Sequence, residues 1–405
     1  MNRGFYIILT AQFFSALADN ALLFAAIALL KELSAPDWHT PLLQQFFIIS
    51  YILLAPFVGP FADALPKGRV MFISNTIKIL GCLAMLLGMP PLYAYAIVGF
   101  GAAAYSPAKY GILTEYLPPA LLVKANSWME GATVAAIVLG AIIGGFLISP
   151  RLMGAYLESW GMTGRLTVTQ LSIVVILVLY AVAAWFNYYI PRLPIDHKVP
   201  KKNPVFLVYD FWHAFKLLWK DPLGQVSLAV TTLFWGVGAT LRLVVLAWAA
   251  FNLKFDLAHA TQLTAMVAVG IAMGAAAAGK WVKLESSVKV LPAGIALGLI
   301  VITMIFVTDW RMAMGLMFVI GALSGFFVVP LNALLQHRGH LLMGAGHSIA
   351  IQNFNENIGI LVLLGAYAFM VGNGVHIHWV IVSFGLFISL AMTVIWRRHH
   401  NDEVH

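Results

Sequence analysis

The sequence predicts an all-α integral membrane protein, with twelve transmembrane helices arranged as two pseudo-symmetric six-helix bundles. Three observations predict it. The 405 residues are 61% hydrophobic and 10% charged, with a mean hydropathy of +0.89, whereas a soluble chain carries about a quarter charged residues. Apolar segments long enough to cross a bilayer recur along the whole chain, separated by short polar breaks. The longest polar stretch falls at mid-chain and divides these segments six and six. A soluble domain of this size needs more polar surface, which excludes a cytosolic enzyme, a disordered chain and a secreted disulfide scaffold. The spans are helices because a lipid-facing backbone must satisfy its own hydrogen bonds.

In the first half the spans run near Phe5–Leu30, Leu42–Ala62, Val70–Met89, Leu92–Leu113, Lys124–Ser149 and Leu166–Ile190. In the second half they run near Gln225–Phe251, Ala260–Leu284, Val288–Val307, Met312–Gln336, Met343–Val371 and His376–Trp396. The first bundle is therefore 1–190, a cytoplasmic linker 191–224, and the second bundle 225–405. Ala26-Ile27-Ala28 resembles a signal-peptide cleavage site, but the apolar run is too long and Asp19-Asn20 interrupts it. It reads as the first span. Within the linker, Val205 to Trp219 is amphipathic: Asp210, His213, Lys216 and Lys220 recur at helical spacing against Phe206, Tyr209, Phe211, Trp212, Phe215 and Trp219. This predicts a helix on the cytoplasmic membrane surface, or a docking site for a soluble partner.

The net charge is +8 and the pI about 9.5. Nucleic-acid binding is not expected, because no basic run is interleaved with stacking aromatics. Instead the cations sort by loop. Arg3, Lys67, Arg69, Lys124, the cluster Arg192, Lys198, Lys201, Lys202, Lys216 and Lys220, then Lys280, Lys283, Lys289, Arg338, Arg397 and Arg398 fall on one side. The other side has Lys31, Arg151, Arg165, Lys254 and Arg311. Both termini are therefore expected in the cytoplasm. The single cysteine, Cys82, excludes an intrachain disulfide.

Local matches between the halves share one approximate offset, 220 to 226 residues. Phe13-Phe14-Ser15-Ala16-Leu17-Ala18-Asp19-Asn20 falls against the stretch from Leu233, Gly59–Arg69 against Gly279–Lys289, and Pro107 against Pro330. Asn126 with Glu130 falls against Gln352 with Glu356, an i,i+4 polar pair in each half. Gly59-Pro60-Phe61-Ala62-Asp63 followed by Lys67-Gly68-Arg69 resembles a loop of the major facilitator superfamily, although the basic residues come later than in that pattern. The resemblance implies a conformational latch of Gly59, Asp63, Lys67 and Arg69, in which the Asp caps and pairs with neighbouring helix ends. An ordinary polar turn is the alternative.

An ionisable group near the bilayer centre costs at least ~2.5–3.5 kcal/mol, so each is a functional candidate. Asp19, beside Asn20, lies midway along the first span, and Arg242 lies at nearly the same depth in the seventh. They are a candidate ion pair between the halves, either permanent or opening during transport. Glu130 and Glu356 are repeat-related candidates for proton coupling. Glu356 sits in Gln352-Asn353-Phe354-Asn355-Glu356-Asn357, a stretch too polar for lipid and so expected to face a cavity. Lys78 and Lys109 can snorkel to cytoplasmic headgroups, but Pro107 breaks the helix beside Lys109 and leaves backbone groups for a ligand.

Enzyme signatures fail. Gly274 to Lys280 matches most of a Walker A, but Trp281 replaces the Ser or Thr and no strand precedes it. Gly270, Gly274 and Ala278, like Gly140 and Gly144, read instead as small-residue stripes for close helix packing. His376-x-His378 and His399-His400 do not form a metalloprotease motif, and no Gly-x-Ser-x-Gly is present. No metal or cofactor is expected. An interior with few charges of both signs among Met, Phe and Trp suits an ionic headgroup on an apolar tail, and fits a lipophilic cation almost as well.

Several runs resemble the bacterial lysophospholipid transporter family: Ala18–Phe24, Gly101–Leu113, Lys124-Ala125-Asn126 with Met129-Glu130, Phe326–Gln336, and Gln352-Asn353 with Glu356-Asn357. The resemblance implies a major-facilitator flippase that moves lysophosphatidylethanolamine and lysophosphatidylglycerol from the outer to the inner leaflet of the bacterial inner membrane. It carries over Asp19, Asn20, Lys109, Glu130, Arg242 and Glu356 as cavity residues, beside Asn126, Gln352 and Asn353. It also implies a partner acyltransferase, acyl-ACP synthetase, here separate because the chain ends at His405 without that domain, and a monomer in membrane lipid. The alternative is a proton-coupled exporter of amphiphilic small molecules.

Overall fold

The computed structural model describes residues 2–36, 39–159, 161, 166–195, 203–255 and 257–404. The cations Arg165, Lys198, Lys201 and Lys202 lie outside the described residues. The described chain is helical: α1 Arg3–Glu32, α2 His39–Ala64, α3 Lys67–Leu86, α4 Pro91–Tyr116, α5 Leu122–Leu147, α6 Pro150–Ser159, α7 Val168–Tyr188, α8 Pro204–Lys220, α9 Pro222–Asn252, α10 Leu257–Trp281, α11 Leu291–Ile302, α12 Trp310–Met343, α13 Ala345–Gly372 and α14 Ile377–Val404. All but α6 and α8 match expected spans.

Eleven of the helical stretches are long and apolar enough to cross a membrane. The expected span missing from that set is α4. It has 26 residues, but Tyr93, Tyr95, Tyr105, Ser106 and Pro107 dilute its apolar character. Helix starts carry the caps the sequence provides. The Asn2 side chain accepts from Phe5 N–H, Thr167 and Gln170 form a reciprocal capping box on α7, and Asp221 caps α9 just before Pro222. The short α6, which apolar segments alone did not reveal, buries Met153 and Leu157 one turn apart in the core around α1 and α7.

The helices form two compact units. Unit 1 comprises 1–112, 135–211 and 344–350; unit 2 comprises 113–134, 212–343 and 351–405. In unit 1, α7 packs against both α1 and α3. In unit 2, α14 packs against both α9 and α11. These triples occupy repeat-related places in the chain, so the duplication seen in sequence is also a duplication of packing.

The glycine stripe has a geometric cause. In unit 2, a Cβ on Gly274 would lie 1.9 Å from the Ala322 carbonyl oxygen, and one on Gly321 would lie 2.1 Å from that of Val267. Helices α10 and α12 therefore touch backbone to backbone, which only residues without a side chain permit. The near-Walker stretch lies within α10, so it is packing surface and not a phosphate loop.

The linker helix is α8, close to its expected bounds. It buries Phe211, Ala214 and Leu218 and exposes Val205, Tyr209 and Trp212. Its apolar side is thus divided between protein and surroundings.

Candidate functional site

Four polar groupings stand out, each inside one unit. The first lies in unit 1 among α1, α3 and α7. Ser15 and Asp19 are i,i+4 neighbours on one face of α1, and Asn75 and Lys78 are i,i+3 neighbours on α3. Lys78 Nζ lies 2.8 Å from Asp19 Oδ2 and donates to Ser15 Oγ at 3.0 Å. Tyr180 of α7 donates its hydroxyl to Asp19 Oδ1 at 2.6 Å, and Ser15 donates to Asn75 Oδ1 at 2.8 Å. The Lys78 ammonium also faces the rings of Tyr105 and Tyr180, 4.8 and 5.4 Å from their centroids. Lys78 therefore does not snorkel: it is fully buried, and its charge is met inside the protein.

This grouping borders a cleft of about 50 Å³ whose lining includes Asp19, Lys78, Tyr51, Tyr105, Ser106 and Lys109. The volume has room for a few waters. Its walls present both signs of charge. Asn20 turns elsewhere: its amide donates to Ala16 O at 2.8 Å, and its Cβ faces Gly140 of α5. Arg242, nominated by sequence as Asp19's partner, has an exposed side chain on α9.

The second grouping is an amide chain in unit 2. Asn126 of α5 and Gln336 of α12 exchange two hydrogen bonds, at 2.9 and 2.8 Å. Gln352 of α13 donates to Asn332 Oδ1 and to Glu356 Oε1, both at 2.7 Å. Asn332 closes the chain with a longer bond to Asn126 Oδ1. Glu130, Asn353 and Glu356 are also buried. Within the polar stretch of α13, Gln352 and Glu356 are thus met by side-chain hydrogen bonds, while Asn355 and Asn357 donate to carbonyls of their own helix. The sequence reading missed Asn332 and Gln336 as partners, although both sit in the Phe326–Gln336 run.

The third grouping joins the end of α2 to the start of α13 in unit 1. Asp63 Oδ1 accepts from Gly346 N–H at 2.8 Å, and Oδ2 from His347 N–H at 3.0 Å. The carboxylate therefore caps two orphan donors of α13. Lys67 pairs with Asp63 at 2.9 Å, and the His347 ring lies 2.9 Å from Asp63 and 3.1 Å from Asp210 of α8. Gly59 permits this approach, since a Cβ there would lie 3.0 Å from His347 Cα. Arg69 is exposed. His347 and Asp210 had no sequence signal as latch members, because His347 lies 284 residues from Asp63 and 137 from Asp210.

The fourth grouping, in unit 2, pairs Asp221 at the start of α9 with Arg338 near the end of α12. Arg338 was expected in a loop, but α12 continues past Gln336 to Met343. Burial alone would raise the Asp221 carboxyl, but hydrogen bonds from Arg338 and from Gly224 N–H, with the guanidinium charge, hold it below the ordinary carboxylate range. The histidines at the start of α14 are likewise engaged: His376 and His378 stand edge-on to Phe251, and His378 bonds Asn252.

A family model for the major facilitator superfamily matches residues 8–363. The chain is 44% identical over 397 residues to the lysophospholipid transporter LplT of Serratia proteamaculans, spanning 98% of this chain and 96% of that one. It is 45% identical over 375 residues to the transporter of the same name from Yersinia pestis, spanning 92% and 88%.

The chain belongs to the lysophospholipid transporter family of the major facilitator superfamily.

It is a multi-pass membrane transporter and not an enzyme. The fold is shared more widely. The transporter FucP in its outward conformation superposes with a TM-score of 0.77 at 11% identity, covering 98% of each chain. An outward-facing bacterial homologue of ferroportin superposes with a TM-score of 0.71 at 17% identity, covering 98% of this chain and all of that one. At such identities only the architecture is held in common.

Proposed function

We propose that this transporter moves lysophosphatidylethanolamine and lysophosphatidylglycerol from the outer to the inner leaflet of the bacterial inner membrane, by alternating access between the halves 1–190 and 225–405. The observation that supports it best is near-full-length identity to transporters of that name. The cleft of α1, α3 and α4 adds chemical support. Asp19 meets the ammonium of a zwitterionic headgroup, and Lys109, which lines the same cleft, meets the phosphate. Glu130 and Glu356, with Asn126, Gln352 and Asn353, shape the polar interior. Arg242 and Asn20 gate the path from α9 and α1. The Asp63, Lys67 and His347 cluster latches α2 to α13 in one conformation and releases in the other, with Gly59 allowing the approach and Arg69 on the adjoining surface. Both termini lie in the cytoplasm, the transporter works as a monomer, and the product passes to a separate acyltransferase, acyl-ACP synthetase.

Uptake of labelled lysophosphatidylethanolamine into de-energised spheroplasts tests this. Cells with the protein should accumulate label in the inner leaflet faster than cells without it, and equal rates end the proposal. Proton-coupled export is the second reading, favoured by the buried carboxylates Glu130 and Glu356. It requires transport to collapse with a protonophore.

A further inference from the structure

We propose that Lys78 is an internal competitor for the headgroup ammonium: it occupies the Asp19 carboxylate in the resting protein and yields it to an ethanolamine headgroup, so that Lys78 sets headgroup preference. The inference rests on the lysophospholipid reading and deepens it.

Access comes first. The Asp19 side chain is 25% exposed and the Lys78 side chain 1%. A headgroup in the cleft therefore reaches the carboxylate, whereas Lys78, which also borders the cleft, is the more buried of the pair. A primary ammonium on a lipid and a primary ammonium on Lys78 have the same donors and the same charge. Asp19 cannot neutralise both fully, so the two compete.

Exchange also needs somewhere for Lys78 to stay. A buried cation stripped of its only partner would be prohibitively costly. Lys78 has a second set of contacts: Ser15 Oγ and the faces of Tyr105 and Tyr180. A desolvated cation–π contact contributes up to ~2 kcal/mol. Lys78 can therefore release Asp19 without losing all stabilisation, and Asp19 retains the Tyr180 hydroxyl.

The internal repeat supplies an independent argument. At the 220-residue offset, Asp19 corresponds to Ala239 and Lys78 to Gly298. The second half builds the same helix triple with neither charge. A buried ion pair is thus no requirement of the scaffold, and its presence in one half marks function.

The prediction concerns a ratio. A glycerol headgroup has no ammonium to compete for Asp19, so loss of Lys78 should favour ethanolamine over glycerol. In proteoliposomes holding the full chain, Lys78→Gln should raise the ratio of kcat/KM for lysophosphatidylethanolamine over lysophosphatidylglycerol by about tenfold, the low end for a hydrogen bond to a charged group. Lys78→Arg keeps the charge and can hold a carboxylate through two parallel bonds, so it should lower the ratio; it also serves if Lys78→Gln does not fold. Both substrates changing in parallel, or an unchanged ratio, overturns the proposal. Thermal stabilisation by soluble phosphoethanolamine against glycerol 3-phosphate gives the same ratio without transport. A protein that binds with the expected ratio but moves no lipid would refute the transport reading alone. One that moves both lipids with no ratio change refutes the role of Lys78 alone.

Discussion

In the first half of the chain, α1, α7 and α3 close around Asp19, Tyr180 and Lys78. In the second, α9, α14 and α11 close around Trp248, Ser389 and glycines. The second triple is packed as tightly as helices allow. A Cβ on Gly298 would lie 2.3 Å from Ser389 Oγ, and one on Gly294 would lie 2.3 Å from Met392 Cε. Its polar atoms serve the backbone: Trp248 Nε1 donates to Met304 O at 2.8 Å, and Ser389 to Ile295 O at 3.0 Å. One packing scheme therefore carries a desolvated ion pair in one half and a close-packed seam in the other. Scaffold and chemistry are separable here, and a residue's repeat-related partner shows which of the two it serves.

The strongest way to break this comparison is to remove the charge. Asp19→Asn should reduce lysophosphatidylethanolamine transport by about tenfold or more, the scale of a lost charged hydrogen bond, while immunoblots of the membrane fraction still find the protein. Wild-type rates would reassign the pair to packing. The complementary change is Gly298→Val, which overpacks the apolar triple. It should cost about 1–3 kcal/mol, seen as a lower Tm in detergent, and leave headgroup selectivity untouched. A third substitution asks whether any buried ion cluster affects transport in the same way. Asp63→Ala removes the cap on α13, worth about 0.5–2 kcal/mol. It should lower the Tm and slow transport less than Asp19→Asn does. The smallest effect concerns Asp221. Its carboxyl lies below its unfolded value of about 3.9, so its contribution is complete above that pH and is lost as pH falls through the lower folded value. Unfolding curves of Asp221→Asn and wild type should therefore converge only below about pH 4.

Much of the fold was legible because membrane burial writes itself into composition. Apolar run length located the spans, and the offset between the Asp19 and Arg242 stretches exposed the repeat. The amphipathic linker helix was read almost to its ends from Asp210, His213 and Lys216. The helix α6 escaped because ten residues with two buried apolar groups make no span-length signal. Site residues divided differently. Asp19, Glu356 and Asp63 stood out because each is a charge in apolar surroundings or in a known loop. What each one touches was not legible, since Lys78 and Tyr180 come from other helices and His347 from a distant one. Sequence position assigned Asp19 to Arg242 by depth alone, whereas side-chain direction gave it to Lys78.

Cys82, one helical turn beyond Lys78, is the chain's one cysteine and is fully buried. A thiol reagent added to the intact protein therefore meets no native target. Reporter cysteines can be installed on either face of the transporter in an otherwise native background. Labelling of Cys82 itself would then time the opening of the helix triple that holds the ion pair.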